Sequence, residues 1–316
     1  KWQKTLDKNI GLDLTLLNNR LNVNLDYYDK LTDPLLAAVS VPSSVGSKRV
    51  MTNVGSQRTQ GVSGTVKYSP VYHPEERINW TLSASFKHQK AKYEDIGNSL
   101  DQFNKENLNT SLVRYYDGGS PTALWAVRSL GINPSDGREL FLTKEGTYTF
   151  EYDTEDEVVV GNSEPKLEGV LGSTLYWKGF SFSLYFRYSL GADVFTEATY
   201  NKVENISLAG LKSNQDKRAL HDRWQKPGDH AKFKGISLTE TTPISSRFVL
   251  RENYIKAESI SVGYDFESQA VQKLGIQSLR LQANTTDLFR ISSIKEERGI
   301  EYPFARSFSF SLSAMF

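Results

Sequence analysis

Histidine and cysteine side chains build many catalytic and metal sites, and this chain has few of them. It contains no cysteine and four histidines, His73, His88, His221 and His230. No two of them form a close ligand pair such as His-x-x-x-His. No Gly-x-Ser-x-Gly stretch is present to hold a serine nucleophile beside a base. The sequence therefore predicts no catalytic residue and no metal site, and it argues against an enzyme such as a lipase or protease.

Residues 151–157 form a run of carboxylates, Glu-Tyr-Asp-Thr-Glu-Asp-Glu, that could bind cations. Carboxylate oxygens are ligands that Ca²⁺ prefers, and their charge would also attract cationic peptides. The alternative is that the run is a solvated loop edge. Apart from Ca²⁺ in such a loop, no cofactor is expected. The formal net charge of +1 gives no field that would gather nucleic acid, so we expect no nucleic-acid partner.

The elements that would position these residues are strands in which polar and apolar side chains alternate. In the last of them, Phe308, Phe310 and Leu312 fall on one face and Ser309 and Ser311 on the other, because side chains alternate across a strand. The same pattern recurs in nine stretches: residues 10–16, 21–27, 62–68, 78–86, 167–177, 180–190, 260–266, 279–283 and 308–316.

This repeated pattern favours a transmembrane antiparallel β-barrel in the outer membrane of a bacterium. Mean hydropathy is −0.47 and 24% of the residues are charged, which is compatible with a barrel because its lumen-facing residues and loops are polar. No apolar run approaches the roughly 18 residues that a spanning helix needs. Trp177 and Phe180 flank a predicted turn, where an aromatic belt at the membrane interface would lie.

Short and long connections alternate along the chain. Residues 18–20, 70–77, 178–179 and 267–277 give short turns, whereas the other connections are longer. The longest span residues 93–165 and 191–246, and a further loop follows Asp33-Pro34. Bacterial barrels have short periplasmic turns and long extracellular loops, which this alternation matches. Inside the first long loop, residues 120–130 are predicted as a short helix and residues 148–160 as local strand.

One strand leaves its register open. If the alternation of residues 260–266 continues upstream, Lys256 and Glu258 would face lipid. Either a β-bulge shifts the register there, or this half of the strand stands above the membrane.

Nine strands is an odd number, whereas single-chain bacterial barrels close with an even number. An open sheet would expose unpaired backbone groups to lipid, which is prohibitive. We therefore expect residues 1–316 to be the C-terminal part of a larger barrel. The chain starts at Lys1, without an initiator Met or a signal peptide, which is consistent with a processed or partial piece.

Short stretches spread along the whole chain resemble the SusC/RagA family of TonB-dependent outer-membrane transporters from Bacteroidetes. Eight of them occur in the order expected for that family. They are NNRLNVNLDYYD at 18–29, PSSVG at 42–46 with NVG at 53–55, GNSEP at 161–165, YWKGF at 176–180, RENYI at 251–255, SVGY at 261–264, NTTDLF at 284–289 and YPFAR at 302–306.

This resemblance implies a barrel of about 22 strands with a plug in its lumen, of which this chain would supply the last nine. It implies a SusD-like surface lipoprotein that caps the extracellular loops, and a dimer of such transporter–lipoprotein pairs. It also implies energy supplied by TonB through an N-terminal box. The plug domain and the TonB box are expected to lie outside this chain.

The implied function is active import of oligosaccharides across the outer membrane. Tyr115, Tyr116, Trp125 and Trp224 are candidate contacts to substrate or lipoprotein, because an aromatic face offers apolar area to a sugar ring or a partner surface. The alternative is that they pack the loops together. Oligopeptides are the alternative cargo, since the family that the chain resembles includes peptide importers. A passive porin is the more distant alternative.

Overall fold

A computed structural model describes residues 1–40, 46, 49–237, 239–266, 275–295 and 305–316. Its strands are β1 Lys4–Leu16, β2 Leu21–Asp33, β3 Leu35–Ser40, β4 Arg49–Val54, β5 Ser56–His73, β6 Ile78–Glu94, β7 Ala123–Ile132, β8 Glu139–Leu142, β9 Tyr148–Thr149, β10 Glu157–Asn162, β11 Leu167–Trp177, β12 Phe180–Phe195, β13 Val249–Phe266, β14 Ser278–Thr286, β15 Arg290–Ser292 and β16 Phe308–Met315. The α-helices are α1 Asp101–Glu106, α2 Glu197–Thr199 and α3 Arg218–His221. Among the described residues, no helix has the length and apolar character needed to cross a membrane.

Nine long strands form one antiparallel sheet, which we call the wall. Its strand order is β1-β2-β5-β6-β11-β12-β13-β14-β16, with β15 added beside β13. These are the nine predicted strands in the predicted order, so the all-β antiparallel fold is confirmed. Within the described residues β1 and β16 have no further neighbour, and the wall is therefore an arc of a barrel and not a closed one.

The two faces of the wall differ as the alternation predicts. On the outer face, Leu12 pairs with Leu25 and Leu175 pairs with Phe182. On the inner face, polar side chains bond across strands, as in the 3.3 Å ion pair between Lys87 and Glu168. Large apolar side chains on the outer face remain exposed, including Ile10 at 75% and Phe310 at 77%. A face of this composition is suited to hydrocarbon and costly in water.

The short turns lie at one end of the wall, and positive φ angles explain their sequences. Asn18 and Asn19 adopt φ of 52° and 67°, and Asn tolerates this left-handed region. Lys178 and Gly179 adopt 48° and 96°, as a two-residue hairpin turn with positive φ at both central positions requires. Arg77 closes the turn after β5 with φ of 60°. Most of the predicted turn at residues 267–277 lies outside the described residues.

The apolar band of the outer face has the height of a membrane core. On β11 and β12 it extends from the pair Leu167–Leu190 to the pair Trp177–Phe180, ten residue steps along the strand. At about 3.3 Å per residue and a tilt of about 40°, this is roughly 25 Å. The Phe180 ring lies 4.5 Å from the Tyr264 ring between centroids, at an interplanar angle of 47°, so aromatic rings lie at the turn end of the band.

A β-bulge settles the register of β13. Tyr185 pairs with Ser259 and Phe186 pairs with Ala257, which leaves Glu258 as the extra residue. Val262, on the side of the bulge towards the short turns, faces outward, and so does Ala257, on the side towards the long loops. Lys256 therefore belongs to the inner face, where it pairs with Arg187 in the register. Of the two alternatives open in the sequence, the bulge is the one found.

The loop after Asp33 and the predicted helix at 120–130 are corrected by the structure. Residues 35–54 include the hairpin of β3 and β4, which pair from Leu35–Val54 to Ser40–Arg49. Residues 120–130 hold most of β7, which pairs with β10 on one side and β8 on the other. Ala and Leu favour a helix locally, but two hydrogen-bonded neighbours outweigh that preference. The predicted strand at 148–160 is found only at its ends, as β9 and the start of β10.

Candidate functional site in the long loops

Two long connections fold at the end of the wall opposite the short turns. We call residues 95–166 loop A and residues 196–248 loop B, and together the loop assembly. Loop A contains α1 and a four-stranded sheet of order β10-β7-β8-β9. Loop B has little strand structure and is built around α2, α3 and short turns.

Loop B has an apolar core of its own. Its buried members are Val203, Ile206, Ala219, Phe233 and Phe248, with Phe195 and Tyr200 packed against them. The buried guanidinium of Arg223 donates hydrogen bonds to the backbone carbonyls of Val203, Glu204 and Lys234. A segment with little regular structure is thus held by a core and by a buried side chain that satisfies its carbonyl groups.

A buried ion network joins the two loops. Arg247, at the end of loop B, lies 2.9 Å from Glu139 of β8 and 2.9 Å from Glu204 of loop B. The three side chains are 12%, 2% and 0% exposed. Ser245 donates to Glu139 over 2.6 Å, and Thr242 donates to Glu204 over 2.9 Å. Each carboxylate is therefore both charge-paired and hydrogen-bonded, as a buried charge requires.

The charge of Arg247 is secured by these partners. Burial acts to lower its pKa, but hydrogen bonds to Glu204 and Glu139 outweigh burial, so the pKa lies above its ordinary value. The guanidinium is charged at every physiological pH and holds the two loops together.

A second buried pair holds the inside of loop A. Arg114 donates to Glu157 through two hydrogen bonds of 2.9 and 2.8 Å, and the side chains are 1% and 7% exposed. Burial raises the pKa of Glu157, although the charge and hydrogen bonds of Arg114 act in the opposite direction. This pair fixes the first residue of β10 against the segment after α1.

Tyr115 and Trp224, two of the four candidate aromatic residues, are engaged in packing. Tyr115 contacts Tyr93 and Phe103 at ring distances of 5.3 and 5.5 Å, beside a core that includes Ile96 and Leu100. The indole of Trp224 donates to the carbonyl of Pro134 over 2.9 Å. Each ring is partly buried and helps to hold the loops.

Tyr116 and Trp125, the other two, lie together at an open cleft. Their ring centroids are 5.2 Å apart at an interplanar angle of 51°. The cleft has a volume of about 1160 Å³, and Tyr116 is 41% exposed within loop A. Eight of the thirteen other lining residues are charged: Asp101, Lys105, Lys144, Glu145, Asp153, Glu155, Asp156 and Glu157. The cleft thus combines an aromatic pair with groups of both charges.

The acidic run lies along this cleft, and three of its carboxylates have protein partners. Asp153 accepts from the backbone N–H of Glu155, Asp156 from that of Lys144, and Glu157 from Arg114. In the part of the chain that the structure describes, no group of three or more His, Asp or Glu side chains is arranged to hold a metal ion. Binding of Ca²⁺ by this run stays a prediction.

The histidines are scattered, as the sequence indicates. His88 bonds through Nδ1 to the carbonyl of Lys166 over 2.7 Å, and His221 ends α3. Sequence reasoning missed Glu139, Glu204, Arg247 and the Arg114–Glu157 pair. Nothing in a single sequence marks residues that meet over separations of 43 to 108 positions; only paired substitutions among relatives would have revealed them.

Comparison with known proteins finds similarity to TonB-dependent receptors. The family model described as "TonB dependent receptor-like, beta-barrel" matches residues 1–222. The TonB-dependent receptor P39 of Formosa agariphila is 24% identical over 342 aligned positions, which cover 92% of this chain and 32% of that protein. The TonB-dependent receptor SusC of Bacteroides thetaiotaomicron is 24% identical and is matched over 100% of this chain and 32% of its own length.

Solved structures of a peptide importer have the same fold. RagAB in the "open-open" state matches 100% of this chain and 35% of that chain, with a TM-score of 0.78 and 19% identity. The "closed-closed" state matches 93% of this chain with a TM-score of 0.76 and 20% identity. This likeness concerns the fold. The chain spans about a third of the length of the curated relatives it matches.

Proposed function

The chain belongs to the TonB-dependent receptor-like β-barrel family, and on that premise we propose that it supplies the C-terminal part of a transporter for active import. The proteins named SusC and RagA to which it is similar are outer-membrane proteins. The proposal places the wall in the outer membrane and the loop assembly on the extracellular side. The observation that carries it is the wall itself, with an apolar band of membrane height on one face and polar cross-strand pairs on the other.

We propose oligosaccharides as the cargo and the cleft of loop A as one place where they bind. Tyr116 and Trp125 support this, because an aromatic pair at the edge of an open cleft offers apolar area to a sugar ring. Tyr115 and Trp224 are assigned to holding the loops, given their packing. The cleft is the part of the loop assembly in which candidate aromatic residues and solvent meet.

Oligopeptides are the second candidate cargo, and a separate observation favours them. Lys105 and Lys144 line the same cleft as Asp153, Glu155 and Asp156. Groups of both charges suit the termini and charged side chains of a peptide. Similarity to the fold of a peptide importer is compatible with either cargo.

A SusD-like lipoprotein and TonB are the proposed partners, with transporter and lipoprotein pairs forming a dimer. The lipoprotein would sit on the loop assembly, and TonB would act through a part of the protein outside this chain. Co-purification from outer membranes in mild detergent tests the first partner. Recovery of the transporter with no lipoprotein would contradict it.

Substitution of Trp125 by Ala tests the cleft. We expect affinity of the full-length protein for its oligosaccharide, measured by calorimetry, to fall about three- to tenfold through loss of the aromatic contact. Tyr148→Ala is the control, because Tyr148 is 73% exposed in the same loop and does not line the cleft. Equal affinities of the wild type and the Trp125→Ala variant would remove the cleft from the proposal.

Growth of a gene-deletion strain separates the two cargoes. Loss of growth on defined glycans with normal growth on peptides supports oligosaccharide import. The reverse pattern supports the peptide alternative, and normal growth on both would contradict a role in nutrient uptake.

A further inference from the structure

A hollow lies beside the apolar band at its end nearest the loop assembly, apart from the cleft of loop A. Its volume is about 370 Å³, and we call it the outer hollow. Its lining includes His88 and Lys90 of β6, Lys166, Asp193 of β12 and Arg251 of β13. Lys166 directly precedes Leu167, and Leu167 pairs with Leu190 as the last apolar pair of β11 and β12.

The strand register places the hollow on the outer face. On β6, His88 and Lys90 alternate in step with Phe86, and His88 pairs with Val62 of the outer face. On β13, Arg251 has the same parity as Ile255, which pairs with outward-facing Tyr188. Cations from two separate strands therefore border the lipid-facing side of the wall.

The cationic side chains of the hollow are only partly engaged by carboxylates of the described residues. Lys90 and Lys166 are exposed, and neither forms an ion pair with a residue that the structure describes. Arg251 lies 3.1 Å from Asp193, yet 57% of its side chain is exposed. Asp193 accepts from Arg251 at both oxygens, over 3.1 and 3.4 Å, and its Oδ2 also accepts from the backbone N–H of Asn162. Glu164 is the second carboxylate in the lining.

We propose that the outer hollow binds the phosphate of an anionic lipid headgroup in the outer leaflet. The proposal rests on the proposed function, since it needs the wall to lie in the outer membrane. Headgroups occupy the few ångströms just outside the hydrocarbon core, and the hollow begins at the residue after the apolar band ends. Basic pockets at this level recognise phosphate, and Lys and Arg there attract anionic lipids.

Native mass spectrometry of the full-length transporter, released from nanodiscs that contain phosphorylated lipid A, tests the proposal. The wild type should retain the lipid. Each cation removed should lower retention by about a factor of five, so Lys90→Gln should lower it about fivefold. The triple variant Lys90→Gln/Lys166→Gln/Arg251→Gln should lower it on the order of a hundredfold. The phosphate should be needed as well. Retention of dephosphorylated lipid A by the wild type should therefore be no higher than retention of phosphorylated lipid A by the triple variant.

The control is Lys212→Gln/Lys217→Gln, which removes two exposed lysines from loop B and should retain lipid as the wild type does. Equal retention by the wild type and the triple variant would overturn the site. Displacement of the lipid by inorganic phosphate alone at a comparable concentration would overturn the headgroup as its ligand.

Cargo uptake by the same strains separates this proposal from the proposed function. If the triple variant sits in the outer membrane and imports cargo normally but retains lipid like the wild type, only the lipid site fails. If the wild type is absent from the outer membrane, the proposed function fails first.

Discussion

The wall and the loop assembly are specified by the sequence in different ways. In the wall, each strand pairs with its neighbours along a ladder, and one rule, apolar outward and polar inward, governs almost every position within the apolar band. In the loop assembly, a few buried residues from distant parts of the chain decide the structure, such as Arg247 with Glu139 and Glu204. Apart from tightly packed glycines such as Gly169, the wall should therefore tolerate most substitutions that respect its face, whereas the loops should depend on individual residues.

The largest effect is expected from breaking the ion network with Arg247→Met. Removing the guanidinium leaves two carboxylates buried without their shared cation, which typically costs about 3–5 kcal/mol. Hydrogen exchange of the full-length protein should show the free energy of opening of both loops reduced by that amount. Protection of the wall strands should not change.

The matched control is Lys232→Met, since Lys232 lies in the same loop and is 80% exposed at 3.9 Å from Asp222. It should leave the loops as protected as in the wild type, because exposed pairs contribute little. If Arg247→Met left loop exchange unchanged, or loosened the wall equally, the two regions would not differ as described.

The next effect compares two adjacent positions of β12. Leu184 faces outward between Ser173 and Ile260, and Ser183 faces inward. Leu184→Arg puts a charge into the apolar band and should lower the free energy of unfolding of the barrel by about 2–4 kcal/mol. Ser183→Arg should cost much less. Urea titration of the refolded full-length protein in lipid vesicles measures both, and equal costs would show that the faces are assigned incorrectly.

The smallest effect concerns acid in loop B. Hydrogen bonds from Arg218 lower the pKa of Asp216 to about 2. Because the folded pKa lies below the unfolded one, the stabilisation is present above about pH 4 and is lost as the pH falls through 2. The side chains of Asp216 and Arg218 are 27% and 22% exposed, so solvent screens the pair and its contribution is on the order of 1 kcal/mol.

Asp216→Asn should lower the protection of α3 slightly at pH 5. Near pH 2 the difference between the variant and the wild type should be mostly lost, because Asp216 is then becoming protonated in the wild type. Hydrogen exchange at the two pH values tests this. A difference between the variant and the wild type that grew as the pH fell would contradict the sign.

The sequence allowed the wall to be predicted because its physics is local. Polar and apolar side chains alternate with the period of the pleat, and Asn18-Asn19 and Lys178-Gly179 carry the positive φ that their turns need. The one ambiguity, at Lys256 and Glu258, was recognisable as a bulge or an emergent segment, and the pairing of β12 with β13 decided it.

The sequence allowed the positions of the long loops to be predicted, but not their internal structure. β7 was predicted as a helix because its preference is helical until β8 and β10 pair with it. The hairpin of β3 and β4 was missed because its apolar residues pack in a cluster with residues such as Tyr93, Ile96 and Leu100, some 40 to 65 positions away. Of the aromatic candidates, the structure brings Tyr116 and Trp125 together at a cleft.

Energy-dependent uptake tests the central claim most directly. Cells of a deletion strain that carry the full-length gene would be given a labelled oligosaccharide or oligopeptide, with and without an uncoupler that collapses the proton gradient. The account predicts uptake that requires the gene and stops when the uncoupler is added. Uptake that continues at the same rate with the uncoupler would identify a passive pore and contradict active import.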